Sequence, residues 1–213
     1  FANAVMIHAR DYDDTHDTAV NHGCVCVVPA MIAVTQLLAM EWPGRDDALQ
    51  HTDLSRQEQT RNAPISGRQF FAAMAVALDV ANRISLSLIP FLSVGWLPTT
   101  ITGPFGAACG VGKLLGLSAE EMQHAFGFAY AQVHGNRQAL VEGTLAKRMQ
   151  PAFSAAAGIN AAFFAAQGLT AASRIFTGEY GLPALYTGGN CYTAPLTEDL
   201  GTRWETENIS IKP

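Results

Sequence analysis

Apolar residues recur along most of this chain every three or four positions, the spacing typical of helices packed on a core rather than of strands. Residues 24–40 are almost uninterrupted apolar residues, and Pro29 lies near their start, where a first helical turn or a kink tolerates proline. This stretch predicts a fully buried helix. Ser66, a suitable N-cap, predicts the start of a second helix. The core-facing stripe of that helix consists of Phe70, Met74, Ala77, Leu78, Ala81 and Ile84.

Capping residues and glycines delimit the next two helical segments. Residues 103–117 are small and apolar and end near Gly116, a residue type common just past a helix C-terminus. Ser118 and Glu121 form a capping box, which predicts a helix from there to about residue 133. The two segments are expected to form a helical hairpin.

The last long helix is predicted over residues 146–167, an Ala-rich stretch that stops at Gly168. Pro151 indicates either a later true start or a bend. Only residues 204–212 alternate like a strand. Runs of Ala and Gly let helix backbones approach closely, so the predicted fold class is all-α, with residues 1–213 forming one tightly packed helical domain and a short extended C-terminal segment.

Residues 41–64 break this pattern. Pro43 and Gly44 lie near the start of the segment, which carries five acidic and three Arg residues and few large apolar ones. It is predicted to be a polar surface insertion.

The composition indicates a chain with much of its surface covered. Hydrophobic residues make up 49% of the sequence and charged residues 15%, against roughly 25% charged in an average soluble domain. This favours a large core or an oligomer interface. Thirteen Lys+Arg against eighteen Asp+Glu give a net charge of -5 without a basic block, which argues against a nucleic-acid partner.

A membrane span and a cysteine-based site are not expected. The most apolar stretch, residues 84–98, is shorter than the roughly 20 residues of a spanning helix and contains Pro90 and Gly95. The four cysteines lack both CxxC spacing and the density of a disulfide scaffold, so we expect reduced, mostly buried thiols. The chain begins at Phe1 without a leader pattern, and we expect an internal piece of a longer, cytoplasmic protein.

Two familiar motifs are incomplete. Gly110-Val-Gly112-Lys113 has Ala107 and Leu114 where a phosphate loop needs Gly and Ser or Thr, so its glycines are expected to serve helix packing. Asp11-Tyr-Asp13-Asp14-Thr15 resembles the DxDxT signature of aspartyl-phosphate hydrolases. No β-branched strand precedes it and no magnesium motif follows, so this assignment is not favoured.

A polar cluster near the N-terminus offers candidate chemistry. If residues 2–15 form a helix, then His8, Asp11 and Thr15 share one face. The polar residues that follow, before the buried helix, are His16, Asp17 and His22. A solvated acidic turn is the alternative interpretation. No metal is expected, because neither HExxH nor zinc-finger spacing occurs.

Basic residues in apolar surroundings are a second candidate feature. Lys147 and Arg148 lie in the Ala-rich stretch, and Lys212 closes the alternating tail. A buried lysine costs on the order of several kcal/mol unless it is paired, so an anionic substrate or a carboxylate such as Asp11 is expected nearby. A side chain that reaches solvent from a helix end is the alternative.

Several ordered segments together resemble the MmgE/PrpD family, whose members include 2-methylcitrate dehydratases, cis-aconitate decarboxylases and iminodisuccinate epimerases. The resemblance covers nearly the whole chain. The segments that carry it are His8-Ala-Arg-Asp11-Tyr-Asp-Asp-Thr15-His16, His22-Gly23, Ser66-Gly67-Arg68, Gly95-Trp96-Leu97-Pro98-Thr99, Gly112-Lys113-Leu-Leu-Gly116-Leu117, Glu142-Gly143-Thr144, Lys147-Arg148-Met149 and Ile209-Ser-Ile-Lys212-Pro213.

The resemblance implies an all-helical domain, a homodimer, no cofactor, and an active site shared with a lid domain that this sequence does not contain. It also implies which positions form the site. The residues expected to be catalytic are His22, Lys147, Lys212 and Asp11. The resemblance also implies Thr15, which is expected to bind substrate; His16 and Arg148, singled out from their own polar surroundings, are expected to bind substrate as well.

Two positions depart from the family pattern. Many relatives carry a histidine where this chain has Leu97, and another where it has Gln150. Neither side chain here can transfer a proton in their place, which weighs against an exact match of activity.

The resulting hypothesis is a cofactor-independent lyase acting on a small polycarboxylate, most simply the dehydration of a 2-methylcitrate-like 2-hydroxy acid. His22 would be the acid and base, and the two lysines would bind carboxylates. An epimerase or isomerase of a dicarboxylate, using the same α-proton removal, is the first alternative. A non-catalytic helical dimerisation module is the second.

Overall fold

The computed structural model describes residues 1–40 and 64–211. Two short strands, β1 (Asp14–His16) and β2 (Ile209–Ile211), pair antiparallel with Asp14 opposite Ile211, and a 3-10 turn (Glu205–Asn208) precedes β2. The helices of the described residues are α1 (Ala2–His8), α2 (Gly23–Ala39), α3 (Gly67–Leu88), α4 (Pro98–Leu115), α5 (Ala119–Ala131), α6 (Gln138–Val141), α7 (Ala146–Ala166), α8 (Leu182–Tyr186) and α9 (Ala194–Thr197). The all-α fold class is therefore confirmed. The predicted insertion at 41–64, apart from Pro64, and Lys212 lie outside the described residues.

Helix α4 lies at the centre of the fold, packed against α2, α3, α5 and α7. Residues 99–112 are buried without a break, because they are almost all small or apolar. A Cβ added at Gly103 would lie 2.6 Å from Cys26 Sγ, and one added at Gly158 of α7 would lie 2.4 Å from Ala107 Cβ. Glycine at these positions is therefore what allows the helices to pack this closely.

Gly158 provides a sharp test of this packing. In Gly158→Ala the new methyl group would also lie 2.7 Å from the backbone nitrogen of Ala108, which cannot move aside as a side chain can, so we expect a loss of about 2–3 kcal/mol of unfolding free energy. Gly67→Ala is the matched control. No atom lies within 4 Å of its added methyl, so a gain of about 0.5 kcal/mol is expected in the first turn of α3. Urea unfolding of both variants measures the change in unfolding free energy. Equal unfolding midpoints for the two variants would contradict the expected difference in stability.

The predicted capping residues delimit two helices correctly. Ser66 Oγ accepts the backbone N–H of Gln69, whose side chain accepts the Ser66 N–H in return. Ser118 and Glu121 make the same exchange at the start of α5. Helix α4 begins at Pro98 rather than at 103, because proline suits a first turn, where its missing N–H is no loss.

The predicted helix over residues 146–167 is confirmed, since α7 spans Ala146–Ala166 and runs through Pro151 without a later start. The predicted strand over residues 204–212 is wrong at its start. In the C-terminal segment the extended conformation begins only at Ile209, after the 3-10 turn.

The predicted helix over residues 2–15 is also wrong, since α1 ends at His8. Asp11 adopts a left-handed φ of 59°, which is costly in a continuing right-handed helix. The closely spaced Asp residues favour turns because their side chains compete for backbone hydrogen bonds. The chain instead turns and enters β1, so His8, Asp11 and Thr15 do not share a helix face.

A buried ion pair on α3 holds the C-terminal segment that leads into β2. Arg83, 2% exposed, donates to Asp79 Oδ2 at 2.7 Å and to the carbonyl oxygens of Pro195 and Glu198. The other Asp79 oxygen accepts the backbone N–H of Glu205 at 2.7 Å. A buried guanidinium needs such partners for its donors. The network therefore fixes the segment against α3 and positions β2 beside β1.

Within the described part of the chain, α3 is the helix whose length and apolar composition would suffice to cross a membrane. Its most apolar window is 61% buried inside the fold, and it packs against α2 and α4. Its apolar character is thus accounted for by packing within the fold.

Candidate active site

The turn after α1 meets the first turn of α7 in a compact cluster of charged groups. Lys147 Nζ lies 2.8 Å from Asp11 Oδ2 and 3.0 Å from His8 Nε2. Arg148 Nη1 lies 2.8 Å from the same Asp11 oxygen, as an ion pair without the alignment of a hydrogen bond. The carboxylate of Asp11 thus faces two cations from α7. The pairing of Lys147 with a carboxylate follows from its partial burial, since its side chain is only 13% exposed.

Behind this cluster lies a fully buried pair formed by His8 and Asp13. His8 Nδ1 and Asp13 Oδ2 are 2.7 Å apart, and their side chains are 2% and 1% exposed. Burial raises the pKa of Asp13, but the hydrogen bond from His8 and the electrostatic influence of the His8 and His22 imidazoles outweigh it, so the pKa lies below its usual 3.8. Asp13 therefore stays ionised beneath the exposed part of the cluster.

His22 is held at the N-terminus of α2 by two backbone contacts. Its ring Nδ1 lies 2.7 Å from the carbonyl oxygen of Asp14, and its backbone N–H donates to Thr99 Oγ1 at 3.0 Å. Because a carbonyl only accepts, Nδ1 carries the proton and Nε2 is left as the basic nitrogen. The ring centroid lies 5.9 Å from that of His8, which places His22 beside the cluster.

Asp14 contacts both the start of α2 and the His22 ring. Both carboxylate oxygens lie 3.1 Å from the backbone nitrogen of Cys24, so the side chain caps the first turn of α2. Burial raises the pKa of Asp14 above its usual 3.8, against the lowering effect of the hydrogen bonds from Cys24. Asp14 therefore fixes both the helix terminus and the carbonyl that orients His22.

The two other predicted binding residues of this region lie in β1. Thr15 pairs with Ser210 across the two-stranded sheet. His16 is buried, accepts the Ala19 N–H at Nδ1 (3.1 Å), and reaches Glu205 Oε2 with Nε2 at 3.2 Å. Both ring nitrogens of His16 are thus engaged away from the cluster, Nδ1 with the loop that follows β1 and Nε2 with the 3-10 turn.

Glu205 completes this buried contact as an anion. Burial raises the pKa of Glu205, but the hydrogen bonds from Asn208 and His16 and the nearby Arg203 charge bring it below its usual 4.5. Ile211, the last described residue, lies opposite Asp14 in the sheet, so the chain leaves β2 beside the residues of the site. Lys212 itself is outside the described residues.

The two positions that depart from the pattern expected from the resemblance differ in their contacts: Leu97 occupies the N-cap position of α4 without a side-chain capping bond, whereas Gln150 makes specific hydrogen bonds. Gln150 is buried, and its side chain accepts the Asn136 N–H and donates to the Asn136 carbonyl, both at 3.0 Å. An amide can make both bonds at once, so Gln150 ties the loop before α6 to α7 rather than offering a titratable group.

His8, Asp11 and Asp13 bring three donor atoms of the kind that bind cations within 4.8 Å of one another. The ammonium group of Lys147 already contacts the His8 ring and the Asp11 carboxylate. We therefore interpret the three side chains as the binding pocket of a lysine rather than as metal ligands.

Asp13 was not among the residues predicted for the site, and His8 was considered only as part of a helix face with Asp11 and Thr15. The run His8-Ala-Arg-Asp11-Tyr-Asp13 already places a histidine and two carboxylates close together in the sequence. Helical spacing groups His8 with Thr15, whereas the observed turn pairs His8 with Asp13.

Comparison with known proteins places this chain in a family. The family model described as MmgE/PrpD N-terminal domain matches residues 1–194. The cis-aconitate decarboxylase-like protein oryM of Aspergillus oryzae is 29% identical over 99% of this chain and 41% of its own length. The cis-aconitate decarboxylases of Aspergillus terreus and Homo sapiens are 30% and 24% identical, each with 40% of its length covered.

The chain spans about two-fifths of the length of these relatives. The family match covers most of the chain and includes α1, β1, α2 and α7, which carry the cluster. The chain therefore belongs to the MmgE/PrpD family, a lyase-type family, and its residues 1–194 match the N-terminal domain of that family.

Proposed function

We propose that the full-length protein is a cofactor-independent lyase that removes the proton beside a carboxylate of a small polycarboxylate. The observation that carries the proposal is the convergence of Lys147 and Arg148 on Asp11, next to His8 and His22. Cations provide the means to bind carboxylates, and an imidazole provides the means to move a proton near neutral pH. The likeness to cis-aconitate decarboxylases supports the same reaction class.

In the proposed mechanism, Lys147 and Arg148 bind one substrate carboxylate and Lys212 binds another. His22 Nε2 takes the α-proton, and the electron pair moves onto the adjacent carboxylate. Lys147 stabilises the added charge, an effect worth roughly 3 kcal/mol for a well-placed donor. The carbonyl oxygen of Asp14, 2.7 Å from His22 Nδ1, keeps the base in the required tautomer.

The remaining site residues position these groups. Asp11, 2.8 Å from Lys147, orients the ammonium group and balances its charge. Thr15 lies in the strand next to the site and hydrogen-bonds the substrate. His16, with both ring nitrogens engaged, acts by holding β1 in place.

The bond that breaks depends on the substrate. With a 2-hydroxy acid such as 2-methylcitrate, protonated His22 returns its proton to the departing hydroxyl group, the C–O bond breaks, and water leaves as a double bond forms. With cis-aconitate no α-proton is removed: the C–C bond to a carboxylate breaks, CO2 leaves, and His22, acting in its protonated form as the acid, donates a proton to the carbon that keeps the electron pair. The relatives favour cis-aconitate as the first substrate to test.

Leu97 favours a second candidate, an epimerase or isomerase of a dicarboxylate. Such a reaction removes and returns one α-proton without a leaving group, so it needs fewer proton-transfer groups. The family resemblance leads one to expect a histidine at position 97, whereas the Leu97 side chain cannot transfer a proton.

The test is a substrate panel with the full-length protein in deuterated buffer. We expect either CO2 release from cis-aconitate or the ultraviolet absorbance of a new double bond from 2-methylcitrate. Deuterium incorporation without CO2 or water loss would assign the epimerase instead. If no polycarboxylate gives a product or incorporates deuterium, the proposed lyase and the epimerase are both excluded, and the non-catalytic helical module is the remaining interpretation.

A further inference from the structure

Three groups in the cluster form an unbroken line from the core to the surface. Asp13 Oδ2 lies 2.7 Å from His8 Nδ1, and His8 Nε2 lies 3.0 Å from Lys147 Nζ. Asp13 and His8 are fully buried, whereas the Lys147 side chain is 13% exposed. The line therefore ends at a group that a ligand can reach.

The chemistry of the three groups fixes where the protons lie. An ionised carboxylate only accepts hydrogen bonds, so Nδ1 of His8 carries a proton and donates it to Asp13. An ammonium group only donates, so a hydrogen bond between Lys147 and His8 requires that Nε2 carry no proton. His8 is therefore a neutral ring in the Nδ1–H form, wedged between an anion and a cation.

We propose that Asp13 and His8 form a positioning pair for Lys147, deepening the function proposed above and resting on it. Asp13 holds His8 in the Nδ1–H tautomer, and Nε2 then accepts one N–H of the Lys147 ammonium group. Asp11, at 2.8 Å, accepts a second. The third N–H is thereby aimed at a substrate carboxylate.

The surroundings of His8 are consistent with this assignment. Among the described residues, the charged or titratable groups that face the ring are Asp11 (Oδ1 3.7 Å from Nδ1), Asp13, His22 (ring centroids 5.9 Å apart) and Lys147. Helix α1 packs against both α2 and α7, which fixes the ring from two sides. A rigid acceptor removes freedom from a long lysine side chain before the substrate arrives, which is what preorganised charge stabilisation requires.

The first experiment reads the tautomer directly and needs no substrate. Nitrogen NMR of the full-length protein labelled at histidine, with His8 assigned from the His8→Gln variant, should show a protonated Nδ1 and a bare Nε2 near neutral pH. In Asp13→Asn the asparagine amide can donate to Nδ1, so Nε2–H should become populated. A wild-type ring that is Nε2–H or doubly protonated would overturn the inference, whatever the fate of the proposed function.

The second experiment uses two replacements that each mimic one ring nitrogen. The side-chain amide of glutamine reaches the place of Nε2 and can accept from Lys147, whereas that of asparagine takes the place of Nδ1 and can only serve Asp13. We expect His8→Asn to lose about tenfold more turnover than His8→Gln. A merely structural role, holding Asp13, would reverse the order, and unchanged turnover in both variants would likewise overturn the proposal.

Asp13→Asn and Asp199→Asn form the matched control pair. Asp199 is an exposed carboxylate that pairs with Arg203 and lies outside the cluster. We expect Asp13→Asn to lower kcat about tenfold and Asp199→Asn to leave it unchanged. If the wild type turns over no polycarboxylate, the proposed function fails, and the tautomer measurement alone decides the positioning pair.

Discussion

Full-length protein carrying Lys147→Met is expected to turn over its polycarboxylate about a thousandfold more slowly than the wild type, the upper range for loss of one charge-stabilising donor. Methionine keeps the length and apolar stem of lysine while removing the cation, so packing against α1 is largely retained. Arg148 still lies 2.8 Å from Asp11, so this carboxylate keeps a counter-charge. The loss is therefore expected in turnover and ligand binding more than in folding.

Lys113→Met is the matched control, because it makes the same replacement at an exposed lysine near the end of α4. Two measurements separate the variants: steady-state turnover, and the rise in Tm produced by a citrate-like polyanion. A ligand that binds only the folded state raises Tm. We expect this rise in Lys113→Met and not in Lys147→Met. A full rise in Lys147→Met would exclude this lysine from the carboxylate site.

His22→Ala is expected to lower turnover roughly a hundredfold or more, the contribution typical of one general acid or base. The backbone bond from residue 22 to Thr99 Oγ1 does not depend on the side chain, so the start of α2 is retained. What is lost is the imidazole whose Nδ1 lies against the Asp14 carbonyl. We expect kcat to fall while the polyanion-induced rise in Tm persists, since the cations that bind carboxylates remain.

His124→Ala controls for the loss of a half-buried imidazole elsewhere in the fold. The His124 ring accepts the backbone N–H of Ala171 at 3.3 Å and lies on α5, not on the elements that carry the cluster. The turnover of His124→Ala should match that of the wild type. If His22→Ala also matched the wild type, His22 would have no part in proton transfer.

The replacement of family histidines by Leu97 and Gln150 narrows which groups can do the chemistry. Gln150 exchanges two hydrogen bonds with the backbone of Asn136, so its contribution is to hold a loop. Among the described residues, His22 is left as the partly exposed imidazole beside the cluster. The proposed mechanism therefore assigns proton transfer to this one residue, which is the reason that the His22→Ala effect is expected to be large.

The amino-acid sequence by itself determined the helices, since their signals are local. The capping boxes of Ser66 and Ser118 and the small-residue run that became α4 act over one or two turns. The family pattern likewise pointed to Asp11, His22 and Lys147 before any fold was known. Local signals failed where the chain left helical geometry, at the turn through Asp11 with its φ of 59°.

Only the tertiary structure decided which polar groups meet. His8 and Lys147 are 139 residues apart, and His16 and Glu205 are 189 apart. Periodicity and capping carry no information about such pairs, because each contact depends on how α1, α7 and the C-terminal segment pack against other helices. Packing also decided their neighbours: His8 lies between Asp13 and Lys147, within the charged cluster, whereas His16 lies between Ala19 and Glu205.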